Sequence, residues 1–146
     1  MEIENFITWL IFFGLITTIG VGAMIYAYRG QGSISVLFTE PISISSLIPP
    51  EAAVNFQKGC EAFRVGNYQQ AINKFTEAIQ NNSNIAEAYH NMGLAFANLR
   101  QDDESVANLL QAGGLYLQEG NQEAIALVKK NLELLKGRKE SRKTDS

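Results

Sequence analysis

Residues that commonly carry catalysis or bind metals are scarce in this sequence. It contains a single cysteine, Cys60, and a single histidine, His90. One cysteine excludes an internal disulfide, and these two residues are too few to form a zinc site. The net charge is −3, whereas a nucleic-acid scaffold needs a basic face. We therefore expect no metal, no cofactor and no nucleic-acid partner.

Charged residues are absent from residues 6–28, which read FITWLIFFGLITTIGVGAMIYAY. As a helix this segment is about 35 Å long, and the apolar core of a bilayer is roughly 30 Å thick. Trp9 near one end and Tyr26 and Tyr28 near the other suit the two interfaces. Burial of the segment as a core helix is disfavoured, because too little chain remains to cover it. The segment therefore predicts an N-terminal membrane anchor over residues 1–29, with residues 6–28 in contact with lipid.

A cleaved signal peptide is the alternative for this segment. Such peptides begin with basic residues, whereas this chain begins with Glu2 and Glu4 and has no cation before Arg29. The apolar run is also longer than the usual signal core of about 7–15 residues. Because cations stay on the cytoplasmic side, Arg29 predicts the N-terminus outside. The rest of the chain would then lie on the cytoplasmic side of a plasma or thylakoid membrane.

Gly14, Thr18 and Gly22 form a stripe of small residues within the predicted span. Small residues at this spacing let a second helix approach closely in a membrane. They are also common in spanning helices in general. The stripe therefore has two interpretations, helix packing with self-association or no specific role.

Residues 30–50 predict an extended linker. They read GQGSISVLFTEPISISSLIPP and contain all three prolines of the chain, so no helix continues across Pro41. The run at residues 34–38 is apolar and β-prone. It would lie on the membrane surface, dock on the domain that follows, or serve as a tether without a binding role. Pro49 and Pro50 are tolerated in the first turn of a helix and mark the start of that domain.

Two segments of the remaining chain resemble each other at an offset of 34 residues. Each predicts two helices joined by a short polar break, at residues 65–67 in the first unit and 100–102 in the second. Asn67 suits a helix N-cap, and the acidic run at 102–104 suits a first turn, where the helix dipole favours negative charge. The aligned residues are Gly59 with Gly93, Phe75 with Leu109, and Ala78 with Ala112.

Gly59 and Gly93 would each lie inside a helix, where glycine costs roughly 1 kcal/mol relative to alanine. This cost predicts that a neighbouring helix comes too close for a β-carbon. Ala71, Phe75 and Ala78 form one stripe on the second helix of the first unit. The alanines permit close approach and the phenylalanine fills the gap beside them, which predicts antiparallel helical hairpins.

These positions resemble the tetratricopeptide repeat family, whose units are helical hairpins of 34 residues. The matches are Gly59, Ala71, Phe75 and Ala78 in the first unit and Tyr89, Gly93, Leu109 and Ala112 in the second. The departures are Lys58 and Met92 in place of Leu, Ser105 in place of Ala, and the missing Pro after each second helix. The resemblance implies an all-α fold. Over residues 51–136 it implies two repeats and a capping helix or partial third repeat, following the transmembrane helix.

In this family the first helices line a concave groove that binds protein partners. By resemblance, the lining residues are Phe56, Cys60, Phe63, Arg64, His90, Asn91, Leu94 and Asn98. Members that clamp a C-terminal carboxylate carry Lys and Asn where this chain has Phe56 and Cys60, and only Asn91 fits that pattern. The groove therefore predicts an apolar or amphipathic segment as its ligand.

No constellation of catalytic residues accompanies His90, so we predict neither enzymatic activity nor a small-molecule substrate. Residues 137–146 predict a basic flexible tail, either solvated or in contact with an anionic membrane surface. The cations at this end of the chain are Lys136, Arg138, Lys139, Arg142 and Lys143.

One N-terminal span followed by a few repeats is similar in architecture to the small factors that assist photosystem I assembly in cyanobacteria and plastids. The expected function is that of a membrane-anchored scaffold or assembly factor that binds protein partners. A stable accessory subunit of a large membrane complex and a self-associating structural protein are the alternatives.

Overall fold

The computed structural model of the protein describes residues 36–44 and 48–144, and within these residues the fold is all-α. No strand occurs in them. The helices in chain order are α1 (Pro50–Arg64), α2 (Tyr68–Asn81), α3 (Ala86–Asn98), α4 (Asp102–Glu119) and α5 (Gln122–Thr144). The all-α class predicted for the domain after the linker is therefore confirmed.

The predicted membrane anchor at residues 1–29 lies outside the described residues. The same holds for the stripe of Gly14, Thr18 and Gly22. In the part of the chain that the structure describes, no helix is both long and apolar enough to cross a bilayer.

The helices pack as hairpins in series. α1 packs on α2, and α3 packs on α4. α2 also contacts α3, and α4 contacts α5, so each hairpin adjoins the element that follows it. This is the arrangement that the 34-residue offset predicts, with α5 covering the end of the second hairpin.

Helix starts follow the residues that the sequence marks for them. The side chain of Asn67 accepts a hydrogen bond from the Gln70 amide at 3.4 Å, so Asn67 is the N-cap of α2 as predicted. The first turn of α4 carries the acidic residues at 102–104. Their charge lies where the amide groups of the first turn are unpaired and positive.

α1, α3 and α4 end in the same kind of turn. A residue of left-handed conformation follows the helix, and the next amide donates to a carbonyl five positions back, as in a Schellman motif. The left-handed residues are Gly66 (φ 78°), Arg100 (φ 64°) and Gly120 (φ 70°). The closing hydrogen bonds, each 2.9 Å long, join Asn67 to Ala62, Gln101 to Phe96, and Asn121 to Tyr116. Gly66 and Arg100 are equivalent positions of the two repeats.

The close approach predicted at the two helical glycines is confirmed. A β-carbon on Gly59 would lie 2.5 Å from Cε1 of Phe75, and one on Gly93 would lie 2.8 Å from Cγ of Leu109. Both distances are far shorter than a van der Waals contact between carbon atoms. The two glycines therefore allow each first helix to pack directly on the large side chain of its second helix.

α5 is longer than the sequence predicts. A flexible tail is expected from residue 137, whereas the helix continues to Thr144. Its basic residues meet the acidic first turn of α4. The Arg138 guanidinium contacts the Asp102 carboxylate and donates a 2.8 Å hydrogen bond to the Ala97 carbonyl near the end of α3. Cations near the C-terminus thus bind residues at the α3–α4 turn. These binding partners lie far from residues 137–146 in the sequence, so that stretch by itself does not predict them.

Residues 36–44, the linker segment, lie on the helical domain without regular secondary structure. Pro41 is buried, and Leu37, Phe38 and Ile42 are half-buried against the core. Thr39, by contrast, is exposed. The sequence leaves three roles open for this part of the linker: membrane contact, docking on the domain, or a tether without a binding role. In the structure, residues 36–44 dock on the domain.

Candidate interaction surface

Side chains of α1 and α3 hold the linker segment. We call Cys60 and Arg64 of α1, together with Asn91 and Asn98 of α3, the α1/α3 surface. The two asparagines are seven residues apart, so they lie on one face of α3, about 10.5 Å from each other along its axis. All four residues belong to the groove predicted from the sequence.

Asn98 binds the main chain of the linker segment at one end of this surface. Its Oδ1 accepts hydrogen bonds from the amides of Leu37 (3.1 Å) and Phe38 (3.0 Å). Its Nδ2 donates to the carbonyl of Phe38 at 2.7 Å. One side-chain amide thus satisfies both main-chain polar groups of Phe38, much as a neighbouring β-strand would.

Asn91 repeats this contact two helical turns earlier. Its Oδ1 accepts a 2.6 Å hydrogen bond from the Ile42 amide, and its Nδ2 donates to the Ile42 carbonyl at 2.8 Å. Asn91 is fully buried and Asn98 is 4% exposed. A buried amide group costs free energy unless it is hydrogen-bonded, so both asparagines depend on a main chain, or on water, in this place.

The α1 residues contribute less to the hold on the linker segment. Arg64 approaches Glu40 at 3.5 Å, but both side chains are more than half exposed, and such pairs contribute little to stability. The Sγ of Cys60 lies 3.9 Å from Nδ2 of Asn91. Burial raises the pKa of the Cys60 thiol to about 11, so it remains protonated at neutral pH and is a poor nucleophile.

His90, also predicted to line the groove, joins α3 to α4 and α5. The Asn131 side chain donates to its Nε2 at 2.8 Å, which leaves the proton on Nδ1, 3.4 Å from the Tyr116 hydroxyl. The ring is fully buried, and burial lowers the pKa of His90 to about 4. His90 is therefore neutral at physiological pH and contacts other helices of the domain.

Phe56, Phe63 and Leu94 are each at most 4% exposed. The ring of Phe56 lies 5.5 Å from that of Phe75, and the ring of Phe63 lies 5.1 Å from that of Tyr68, so both pack toward α2. These three residues therefore belong to the hydrophobic core of the helical domain. A role of any of the eight predicted residues in partner binding stays a prediction.

The sequence does not identify the linker segment as the group bound to this surface. The feature of the linker that could predict its docking is the apolar run at residues 34–38, but this run is equally compatible with membrane contact. Within residues 36–44 and 48–144, no three His, Cys, Asp or Glu side chains are arranged to hold a metal ion. What the surface offers is paired hydrogen-bonding groups for the main chain of a bound segment.

Comparison with known proteins gives a match in fold. No protein-family model and no curated protein matches the sequence. The crystal structure of a tetratricopeptide repeat domain protein from Salinibacter ruber does match, with a TM-score of 0.54 and 16% sequence identity. The match covers 59% of this chain and 96% of that chain. At this identity the similarity shows the fold alone: the helical domain has a tetratricopeptide-repeat-like architecture.

Proposed function

We propose that this chain is a membrane-anchored protein-interaction module that acts as a scaffold or assembly factor for a membrane protein complex. The observation that carries the proposal is the pair Asn91 and Asn98, each of which binds both main-chain polar groups of one residue in the linker segment. Side-chain amides placed in this way bind the main chain of a polypeptide. The repeat-like fold supports the same conclusion, because stacked helical hairpins commonly present such binding surfaces.

The membrane part of the proposal rests on residues 6–28, which contain no charge and are long enough to span a bilayer. Anchoring confines the helical domain to the membrane surface, on the cytoplasmic side by the charge of Arg29. It raises the effective concentration of the domain toward membrane partners without any new contact. By architectural resemblance, photosystem I is one candidate for the complex.

A photo-crosslinking experiment tests the partner. The photoreactive amino acid p-benzoylphenylalanine replaces Arg64, which is exposed on the α1/α3 surface, or Gln111, which is exposed on α4. After irradiation of intact membranes, crosslinked products are identified and their migration on native gels is compared with that of membrane complexes. We expect a subunit of a membrane complex to crosslink at position 64 and not at position 111.

The outcomes separate the possible roles. An adaptor for assembly crosslinks to incomplete forms of the complex, whereas a stable accessory subunit migrates with the mature complex. Products at position 111 alone would place the partner on another surface. Absence of any protein product at both positions, in membranes that contain the chain, would contradict the interaction function.

The anchor has a separate test. The variant Leu15→Arg/Ile19→Arg places two cations in the predicted span, each costing about 2.5–3.5 kcal/mol at the centre of a bilayer. We expect this variant to leave the membrane pellet for the soluble fraction. The control Gln80→Arg/Gln111→Arg adds the same charge at exposed positions of α2 and α4 and should remain in the pellet. Equal partition of both variants would contradict the span.

A further inference from the structure

The α1/α3 surface is already occupied by the chain's own linker segment. Five hydrogen bonds join Asn91 and Asn98 to the amides and carbonyls of Leu37, Phe38 and Ile42. A partner that binds the same asparagines must take the place of this segment. Binding of a partner at this surface is therefore coupled to release of the linker segment.

The asparagines recognise the linker segment chiefly through its backbone. Their hydrogen bonds go to main-chain atoms, which every residue except proline offers in full. The side chains add half-buried apolar contacts from Leu37, Phe38 and Ile42, while Thr39 and Ser43 are exposed. Any extended segment with apolar residues at the equivalent positions and a free N–H at the places of Phe38 and Ile42 can make the same contacts.

We infer that the linker segment is a resident ligand, which covers the α1/α3 surface until an extended segment of a partner protein replaces it. The inference rests on the proposed function, because it assumes a partner that uses this surface. The exchange conserves the hydrogen bonds of Asn91 and Asn98, since one main chain leaves as another enters. The partner segment is extended and apolar, with no proline at the two positions bound by the asparagines.

The short tether makes this coverage effective. Only residues 45–49 separate the linker segment from α1 in the sequence. So short a covalent connection gives the segment an effective concentration at the α1/α3 surface on the order of millimolar. A free segment at micromolar concentration competes poorly with it. A partner held beside the domain by the same membrane competes far better, so the linker segment would favour local partners over diffusing ones.

The test uses the full chain in detergent micelles and a fluorescent peptide with the sequence of residues 36–44, VLFTEPISI. The linker-release variant, Phe38→Pro/Ile42→Pro, removes two N–H donors from the chain's own segment and leaves the α1/α3 surface intact. The control, Thr39→Pro/Ser43→Pro, shifts both prolines by one residue to amides that donate no hydrogen bond to any residue in 36–44 and 48–144. Fluorescence anisotropy measures the Kd of the peptide.

We expect the linker-release variant to bind the peptide at least tenfold more tightly than the wild type, with the control close to the wild type. A second peptide, methylated on the nitrogens that correspond to Phe38 and Ile42, should bind to none of the three proteins. Equal Kd values for the wild type and the release variant would overturn the inference. Failure of the release variant to bind the peptide, or equal binding of the methylated peptide, would do the same.

Hydrogen exchange provides a route that needs no substitution. Excess unlabelled peptide added to the wild type should speed the exchange of the chain's own amides at Leu37, Phe38 and Ile42, and the methylated peptide should leave it unchanged. If the release variant loses its helical circular dichroism, this measurement decides. Unchanged exchange with both peptides contradicts the inference.

Failure of the proposed function is distinguishable from failure of this inference. If photo-crosslinking finds no partner while the release variant binds the peptide tightly, the surface binds extended segments but has no protein client. If a partner crosslinks at position 64 and the release variant behaves like the wild type, the client does not compete with the linker segment.

Discussion

The two hairpins share one fold and differ in what their first helices bury. The buried residues of α1 are Ala52, Phe56, Gly59, Cys60, Ala62 and Phe63, all small or apolar. α3 buries ten residues, and four of them are polar or charged: Glu87, His90, Asn91 and Asn98. Both helices contact the linker segment, but α3 also packs on α2, α4 and α5, so more of its circumference is covered than in α1.

The polar residues of α3 bind the elements that cover the second hairpin. Buried polar side chains cost free energy unless they are hydrogen-bonded. Asn91 and Asn98 find their partners in the linker segment, and His90 finds its partner in Asn131 of α5. These side chains therefore indicate which elements cover the second hairpin. In the first hairpin, the first helix is held mainly by contacts between apolar side chains and by close helix packing.

The largest effect is expected where the hairpins pack most tightly. Gly59→Ala and Gly93→Ala should each lower the free energy of unfolding by about 2–3 kcal/mol, because the new methyl group overlaps Phe75 or Leu109. Urea unfolding of the full chain in micelles, followed by circular dichroism, measures this loss. Gly114→Ala in α4 is the control, since a β-carbon there meets nothing within 4 Å, and it should be neutral or slightly stabilising.

The two glycine sites should differ in how they are rescued. Phe75→Leu shortens the side chain that lies nearest to the new methyl group of Gly59→Ala, so the double variant should lose less than the sum of the two single losses. Gly93→Ala also meets the Ser105 carbonyl at 3.1 Å, which belongs to the backbone and cannot rotate away. A change at Leu109 should therefore rescue it less. Equal rescue at both sites would contradict this distinction.

The covering of the second hairpin by α5 has a test at Arg138. The side chains of Arg138 and Asp102 are 11% and 13% exposed, so Arg138→Met leaves Asp102 nearly buried with only the more distant Arg142, at 3.5 Å. We expect a loss of about 2 kcal/mol in the free energy of unfolding, because the nearly buried carboxylate of Asp102 loses its main cationic partner. Urea unfolding measures it.

Two controls accompany this variant. Arg138→Met/Asp102→Asn removes both charges and should recover part of the loss. Lys136→Met removes a cation of α5 whose side chain is 77% exposed and should change stability little. If Lys136→Met and Arg138→Met have the same effect, Arg138 does not fasten α5 to the second hairpin.

The polar contacts of α3 also predict a pH dependence. His90 has a pKa near 4 in the fold against 6.5 for an exposed histidine, because burial disfavours its charged form. Below pH 6.5 the unfolded chain takes up a proton that the folded chain refuses until about pH 4. The contribution of His90 to the free energy of unfolding is therefore constant well above pH 6.5 and should be about 1.4 kcal/mol smaller at pH 5.5.

Urea unfolding between pH 7.5 and 5.5 measures this contribution by comparison of the wild type with His90→Gln. The variant lacks the titrating group, so its stability should fall less over the same range. Carboxylates elsewhere in the chain affect both proteins alike and cancel in the difference. Identical pH profiles of the two proteins would show that His90 does not titrate as its burial requires.

The smallest effect concerns the turns that close the two first helices. Gly66 and Arg100 occupy the same left-handed position, which glycine adopts without strain and which costs other residues about 1 kcal/mol. Arg100→Gly should therefore raise the free energy of unfolding by about 1 kcal/mol, and Gly66→Ala should lower it by a similar amount. Thermal unfolding midpoints of the two variants measure the difference. A loss on Arg100→Gly would mean that the arginine side chain makes a compensating contribution.

The sequence predicts the hairpins well because their information is local and repeated. The 34-residue offset aligns Gly59 with Gly93, and a mid-helix glycine is costly enough to imply a close neighbour. Asn67 marks a helix start by a hydrogen bond three residues away. The contacts that these glycines and Asn67 make each lie within one hairpin, where helical periodicity places them.

The remaining features depend on contacts between distant parts of the chain. The linker segment meets Asn98 across about sixty residues, and no periodicity relates the two. His90 is predicted to line a groove from its place in the repeat, but its polar contacts come from α4 and α5. Likewise, the cations at the end of the chain suggest a solvated tail until Asp102 and the Ala97 carbonyl are seen beside Arg138.

The hold of Asn91 and Asn98 on the linker segment has a consequence for its degradation. A protease binds its substrate as an extended strand and needs the same amides and carbonyls that the asparagines occupy at Phe38 and Ile42. Cleavage between residues 36 and 44 must wait for the segment to detach. When cleavage is faster than reattachment, the rate of cleavage there equals the rate at which the segment detaches.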